Sequence, residues 1–291
     1  MNDPSAPHRL SRRRHAATAQ FHRWFQLYER PRDAERVERQ LRLFADRFEI
    51  TTADGRRITS RDAYREGITA YGAEERHAHH VRHLAVTEID PDHLRLDAEV
   101  HYERLDASGR TTRATIAYEG ELIGSADFEP LFTTLKMTVA DRSAEGTFTD
   151  AYPANRALSV IHRFLSLVEA PDLGGSAYDE FLGPDGELDL VLGTATVTSR
   201  GELARWLAES SQRLAAGTSR HTVEGFQVVT AQDGLYTVGM DLDWNGATAT
   251  GEPVAARLRY DWTLRDTGER YCRLVRSRNE PLVPVPRIPA A

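Results

Sequence analysis

The sequence predicts an α+β protein built from two tandem cone-shaped domains, each with three helices packed in a curved antiparallel sheet. Three observations carry this. Short motifs recur in one order at an offset of 139–143 residues: His22-Arg23-Trp24-Phe25 returns as His162-Arg163-Phe164-Leu165, Ile58-Thr59-Ser60-Arg61 as Val197-Thr198-Ser199-Arg200, Val86-Thr87 as Val229-Thr230, and Ala114-x-Ile116-x-Tyr118-Glu119 as Ala256-x-Leu258-x-Tyr260-Asp261. A period of that length exceeds the roughly 20–50 residues of a solenoid unit and matches a whole domain. Each copy opens with helical periodicity and closes with long alternating segments separated by turn residues.

In the first copy, Ala17, Phe21, Trp24, Phe25 and Tyr28 recur at helical spacing over residues 16–30, and Pro31 ends the run. Asp33 is placed to cap a second helix through Val37, Leu41, Leu43 and Phe44. Segments 48–52 and 57–59 flank Asp54-Gly55, a strong hairpin signal, and Ser60 introduces a third helix over 61–71. Long strands are then expected at 76–89, 93–105, 111–123 and 131–139. The second copy repeats the order with helices at 157–169 and 200–215 and strands at 221–230, 235–244, 253–265 and 270–278. The pattern places a polar tail over residues 1–15, the first domain over 16–141, a linker over 142–152, the second domain over 153–286 and a C-terminal tail over 287–291.

Composition narrows the function. With 291 residues each copy is long enough to bury its own core, and a single cysteine, Cys272, excludes an intramolecular disulfide and any CxxC site. The reducing cytoplasm is the expected compartment, since no apolar run approaches the ~20 residues of a membrane span. A net charge of −7 argues against a nucleic-acid partner, and the basic run from His8 to His15 reads as a solvated tail.

Helices first, then a hairpin, a helix opening on Thr-Ser-Arg, and a strand beginning Arg220-His221-Thr222-Val223 together resemble the SnoaL-like branch of the nuclear transport factor 2-like superfamily, in tandem duplication. The resemblance implies a bent sheet wrapped around helices with an apolar pocket between them. It implies cofactor-independent acid–base chemistry, as in a polyketide cyclase, dehydratase or isomerase of secondary metabolism, on an apolar, aromatic or polycyclic molecule. A non-catalytic small-molecule binder and a protein–protein interaction module are the alternatives, because one fold hosts many functions. The two copies are expected to form an intramolecular pseudo-dimer that could dimerise further.

Several candidates could carry such chemistry. Scytalone dehydratase, which the first copy resembles, works with an acid near the end of the first helix and a histidine on each of two neighbouring strands. By pattern those places fall on Asp33, on His79 or His80, and on His101. One imidazole would then remove a proton alpha to a carbonyl while the other protonates the leaving hydroxyl. Alternation along Leu94, Leu96, Ala98, Val100 and Tyr102 turns His101 to the polar face unless a bulge intervenes. In the run His77-x-His79-His80-x-x-His83, the first, second and fourth share a face, again barring a bulge, and ordinary surface and edge histidines are expected there. No metal is expected, as neither cysteine ligands nor an HExxH pattern is present.

In the second copy His221 shares its face with Val223, whereas Asp243 alternates against Leu242 and Trp244. The ketosteroid isomerase pair of carboxylate and tyrosine is missing from both copies. Trp24, Tyr28, Tyr102 and Tyr118 in the first copy and Phe164, Tyr236, Trp244, Tyr260 and Trp262 in the second are the expected substrate-binding residues. The functional pocket is expected in the second copy, with His221 as general base or hydrogen-bond donor and the first copy mainly structural.

Overall fold

The computed structural model describes residues 6–30, 33–69, 75–124, 129–143, 146–169, 175–230 and 233–283. Pro31, Tyr71, Gly174 and the proline-rich residues 284–291 lie outside the described residues. The chain divides into two compact units, the first comprising residues 16–155 and the second residues 1–15 with 156–291.

In the first repeat, α1 (Ala6–Tyr28) and α2 (Ala34–Leu41) lead into the hairpin β1 (Phe44–Thr51) and β2 (Arg57–Ile58), then α3 (Arg61–Thr69). Strands β3 (Arg76–Glu88), β4 (His93–Leu105), β5 (Thr111–Ile123) and β6 (Leu131–Ser143) follow. The second repeat runs through α4 (Tyr152–Val168), a 3₁₀ turn (Gly175–Tyr178), β7 (Asp189–Leu192), β8 (Ala195–Val197) and α5 (Arg200–Arg213). It ends with β9 (Arg220–Thr230), β10 (Leu235–Ala247), β11 (Pro253–Arg265) and β12 (Arg273–Pro281). The sheets have the same strand order, β2-β1-β6-β5-β4-β3 and β8-β7-β12-β11-β10-β9.

Most pairings are antiparallel, but β1 joins β6 and β7 joins β12 in parallel. The expected third helix of the second repeat is replaced by the 3₁₀ turn, and the hairpin β7–β8 occupies the place of β1–β2. The N-terminal segment also differs from expectation: instead of a solvated tail over residues 1–15, α1 begins at Ala6, with Arg13 and His15 buried. Arginine is a good helix former, so a basic run without apolar periodicity is no obstacle to helix continuation.

Local signals set the boundaries. The Asp33 carboxylate accepts the Arg36 amide hydrogen at 2.8 Å, Ser60 accepts that of Ala63 at 3.2 Å and Ser199 that of Glu202 at 3.2 Å, satisfying first-turn donors. Gly55, at φ 84°, supplies the left-handed residue of the β1–β2 turn.

Each unit has its own aromatic core. In the first, Trp24 of α1 packs on Phe25, Tyr28 and Tyr118 with ring centroids 5.2–5.8 Å apart. In the second, Phe164 of α4 meets Trp262 edge-on at 5.2 Å, and Phe181 and Tyr271 extend the cluster. The lone thiol, Cys272, is fully buried here, and burial pushes its pKa up to about 12.

Candidate functional site

Each repeat brings one glutamate at the end of its first helix against one histidine on its first long strand. Glu29 follows α1, and its amide still bonds the Phe25 carbonyl at 3.2 Å; Glu169 follows α4 and bonds Leu165 at 3.0 Å. A carboxylate at a helix C-terminus meets the negative end of the helix dipole, so its place must be held by other donors. In the first unit the backbone N–H of His79 reaches Glu29 Oε1 at 2.8 Å and His79 Nδ1 lies 3.2 Å from the same oxygen. In the second, the backbone N–H of His221 reaches Glu169 Oε1 at 2.6 Å, with His221 Nδ1 at 3.1 Å. One oxygen therefore fixes both the strand and the imidazole. When the carboxylate is ionised, Nδ1 donates and the lone pair of the ring falls on Nε2, the arrangement of an oriented base.

Strand register determines which histidines reach this position. In β3, His79 faces Tyr102 and His80 faces His101 across the ladder. A register shift between Val81 and His83 makes Arg82 an extra residue and puts His83 opposite Glu99, on the other face from His79. His77 and His79 are buried, contrary to the expectation of surface histidines: His77 Nδ1 meets the Tyr102 hydroxyl at 2.7 Å, and His79 stacks on Phe25 at 4.5 Å. In β9 the corresponding shift falls beside Gly225, whose φ of 58° suits a bulge. The bulge keeps Phe226 among the apolar residues packed on the core, together with Val223, Val228, Trp206 and Tyr260. His221, paired with Trp244, enters the same side.

The remaining expected residues scatter. Asp33 is an exposed helix cap. His80 and His101 lie outside the apolar interior, in a polar cavity of about 370 Å³ with Arg82, Glu103 and Arg113. There His80 Nε2 is 3.1 Å from the Thr149 carbonyl, and Arg82 donates to His101 at 3.0 Å. Asp243 pairs with Thr222 across the ladder, so it occupies the opposite face from His221, 3.4 Å from Arg257. The structure therefore does not assemble Asp33, His80 and His101, nor His221 and Asp243, into a common site. Tyr28 shares a 2.6 Å hydrogen bond with Tyr64, Tyr236 donates to Asp266 at 2.9 Å, and Trp244 donates to Ser219 at 2.8 Å. Trp24, Tyr118, Phe164, Tyr236 and Trp262 are buried core, while Tyr102, Trp244 and Tyr260 are partly exposed.

Sequence reasoning missed Glu29, Glu169, His15 and Asn155. The signal available was the repeat itself, since Glu29 and Glu169 stand at an offset of 140 residues, as do His15 and Asn155.

The two carboxylates have opposite charge preferences. Desolvation dominates at Glu29, outweighing its Asn155 and His79 hydrogen bonds, and raises its pKa to about 8. Burial also disfavours the Glu169 anion, yet hydrogen bonds and positive charge from His15 and His221 hold it down to about 2. His22, behind Asn155, is lowered to about 4 by burial and stays neutral near pH 7. Among the described residues no set of three or more His, Cys, Asp and Glu side chains converges as a metal site, and no helix is long and apolar enough to cross a membrane.

No protein-family model matches the chain, and no curated protein matches it. Solved structures similar to it include the hexachlorocyclohexane dehydrochlorinase LinA-type3 from Novosphingobium barchaimii, at 11% identity over 50% of this chain and 98% of that one, TM-score 0.40. A nuclear transport factor 2-like superfamily protein from Salmonella enterica is 8% identical over 43% of this chain and 87% of its own, TM-score 0.38. Each similarity takes in half of this chain or less.

Proposed function

We propose that the second unit performs cofactor-independent acid–base chemistry, of the cyclase, dehydratase or isomerase class, on a small apolar polycyclic molecule. The observation that carries this reading is the Glu169–His221 pair: an ionised carboxylate behind an imidazole that is 12% exposed and shares its side of the sheet with Trp206, Phe226 and Tyr260. Nε2 of His221 accepts a proton from a carbon acid, Glu169 holds Nδ1–H and stabilises the imidazolium, and the same proton then returns to the leaving hydroxyl or to a second carbon. The proton count closes without an external base. Burial alone would weaken a neutral imidazole as a base, and the ionised Glu169 behind Nδ1 offsets this by stabilising the imidazolium.

Nitrobenzisoxazole, whose ring opens on removal of one C–H proton, tests for such a base. The wild-type chain is expected to turn it over, His221→Ala to lose about 100-fold, and His80→Ala to match wild type. Equal turnover by His221→Ala and wild type would overturn the reading. A non-catalytic binder is the second reading, favoured by the close burial of Glu29 and His79 in the first unit. It predicts saturable binding of an apolar fluorescent dye by a chain without turnover.

A further inference from the structure

Behind each Glu–His pair stands a third side chain at an equivalent place in the repeat. His15 and His22 are seven residues apart on α1, as Asn155 and His162 are on α4, so each pair shares a helix face. In the first unit, Asn155 Nδ2 donates to Glu29 Oε1 at 2.9 Å and to the His79 carbonyl at 3.0 Å, and Asn155 Oδ1 lies 2.8 Å from His22 Nδ1. In the second, His15 Nε2 lies 3.0 Å from the His221 carbonyl and 3.5 Å from Glu169 Oε1, and His15 Nδ1 is 2.8 Å from His162 Nδ1. A carbonyl only accepts, so His15 Nε2 carries a hydrogen; in the neutral ring Nδ1 is then the acceptor and His162 donates from Nδ1–H. Asn155 and His15 thus face the same kinds of group, but the two Nδ2 hydrogens of Asn155 serve both acceptors, whereas the single Nε2–H of His15 goes to the His221 carbonyl and Glu169 lies at ion-pair distance; an amide cannot carry a charge and an imidazole can.

We propose that His15 is the positioning residue of the second-unit site: by bridging Glu169 and the His221 backbone it fixes the carboxylate as the acceptor for His221 Nδ1–H. Asn155 bridges Glu29 and the His79 backbone in the first unit, but as an amide it places no ionisable group beside the carboxylate. The inference rests on reading His221 as the base. The groups that face Glu169 are His221 from β9 and His15 from α1, with His162 of α4 behind His15; those that face Glu29 are His79, His80, Asp150 and the neutral His22. The opposite charge preferences of the two glutamates agree with this assignment.

The test is His15→Asn in the full chain, which installs the side chain that the first repeat already uses. Histidine nitrogen spectra should show His221 losing its fixed Nδ1–H tautomer, and the acid limb of nitrobenzisoxazole turnover should move up by about one pH unit or more. The reciprocal Asn155→His should lower the pH at which Glu29 titrates, read on the His79 resonances. An unchanged His221 tautomer and pH profile in a folded His15→Asn chain overturns the proposal. Should that variant fail to fold, an unmoved Glu29 titration in Asn155→His overturns it instead. A wild-type chain that turns over no probe, but whose His221 tautomer depends on His15, keeps the positioning role and removes only the acid–base reading.

Discussion

Glu29 and Glu169 occupy the same place in two copies of one fold, take the same backbone hydrogen bond and contact the same type of imidazole, yet one is held protonated and the other ionised near pH 7. Their surroundings differ in Asn155 against His15, and in Asp150, whose charge acts on Glu29 alone. A duplicated Glu–His pair therefore does not have to change its own residues for its carboxylate to change charge preference. The aromatic cores diverge in a similar compensating way. The first repeat places its large ring on the helix, Trp24, and has Gly120 on β5, where an added Cβ would lie 3.1 Å from Leu135. The second puts Phe164 on the helix and Trp262 at the matching strand position, and both rings are buried.

The comparison can be broken most forcefully at those rings. Trp24→Ala and Trp262→Ala should each cost about 3–5 kcal/mol, read by denaturant unfolding. If the copies differ only in how they fill one volume, the two losses will be similar. A loss below about 1 kcal/mol at either position would show that its core relaxes around the gap.

Next in size is the carboxylate pair. Glu169→Gln should reduce probe turnover by about 100-fold, whereas Glu29→Gln, which mimics the protonated acid already present, should leave it unchanged. Equal losses would erase the distinction between the copies.

The pH dependence of stability sharpens the same contrast through its sign. Glu29 has a folded pKa of about 8 against an ordinary 4.5, so the folded chain holds a proton that the unfolded chain releases. Its contribution is complete below about pH 4.5 and is lost as pH rises through 8, at up to about 1.4 kcal/mol per pH unit. Glu169 behaves oppositely: its contribution is present above its ordinary 4.5 and is lost as pH falls through about 2. Glu29→Gln should gain on wild type between pH 5 and 8, and Glu169→Gln should gain only in acid. Stability curves with the same slope for both variants would refute the assignment.

The smallest expected effects are at the helix caps. Asp33→Ala and Ser199→Ala should each cost about 1 kcal/mol in thermal unfolding without altering turnover. A turnover loss in Asp33→Ala alone would restore Asp33 to the site.

Much of the architecture was legible because it rests on local signals. The β4 and β5 boundaries match the turns at Asp90-Pro91-Asp92 and Ala107-Ser108-Gly109, the caps at Asp33 and Ser60 are chemical, and the repeat offset carries through to one strand order in both sheets. The site was legible only in part. His221 was placed on the apolar side by alternation with Val223, and the structure puts it opposite Trp244. The bulge at Arg82, by contrast, changes the face of His83 without a glycine or proline to announce it. Glu29 and Glu169 were hidden because a charged residue at a helix end ordinarily faces solvent; what buries them is a strand arriving about 50 residues later. His15 escaped notice inside an arginine-rich run with no apolar stripe to mark a buried helix.

The buried Cys272 gives this pair of units an internal clock. Its thiol lies only in the second unit, fully shielded and held in the unreactive protonated form, so a thiol reagent modifies it only when that unit opens. Modification rates followed against denaturant would time the opening of one copy in the presence of the other, with the first copy, which carries no cysteine, contributing no signal of its own.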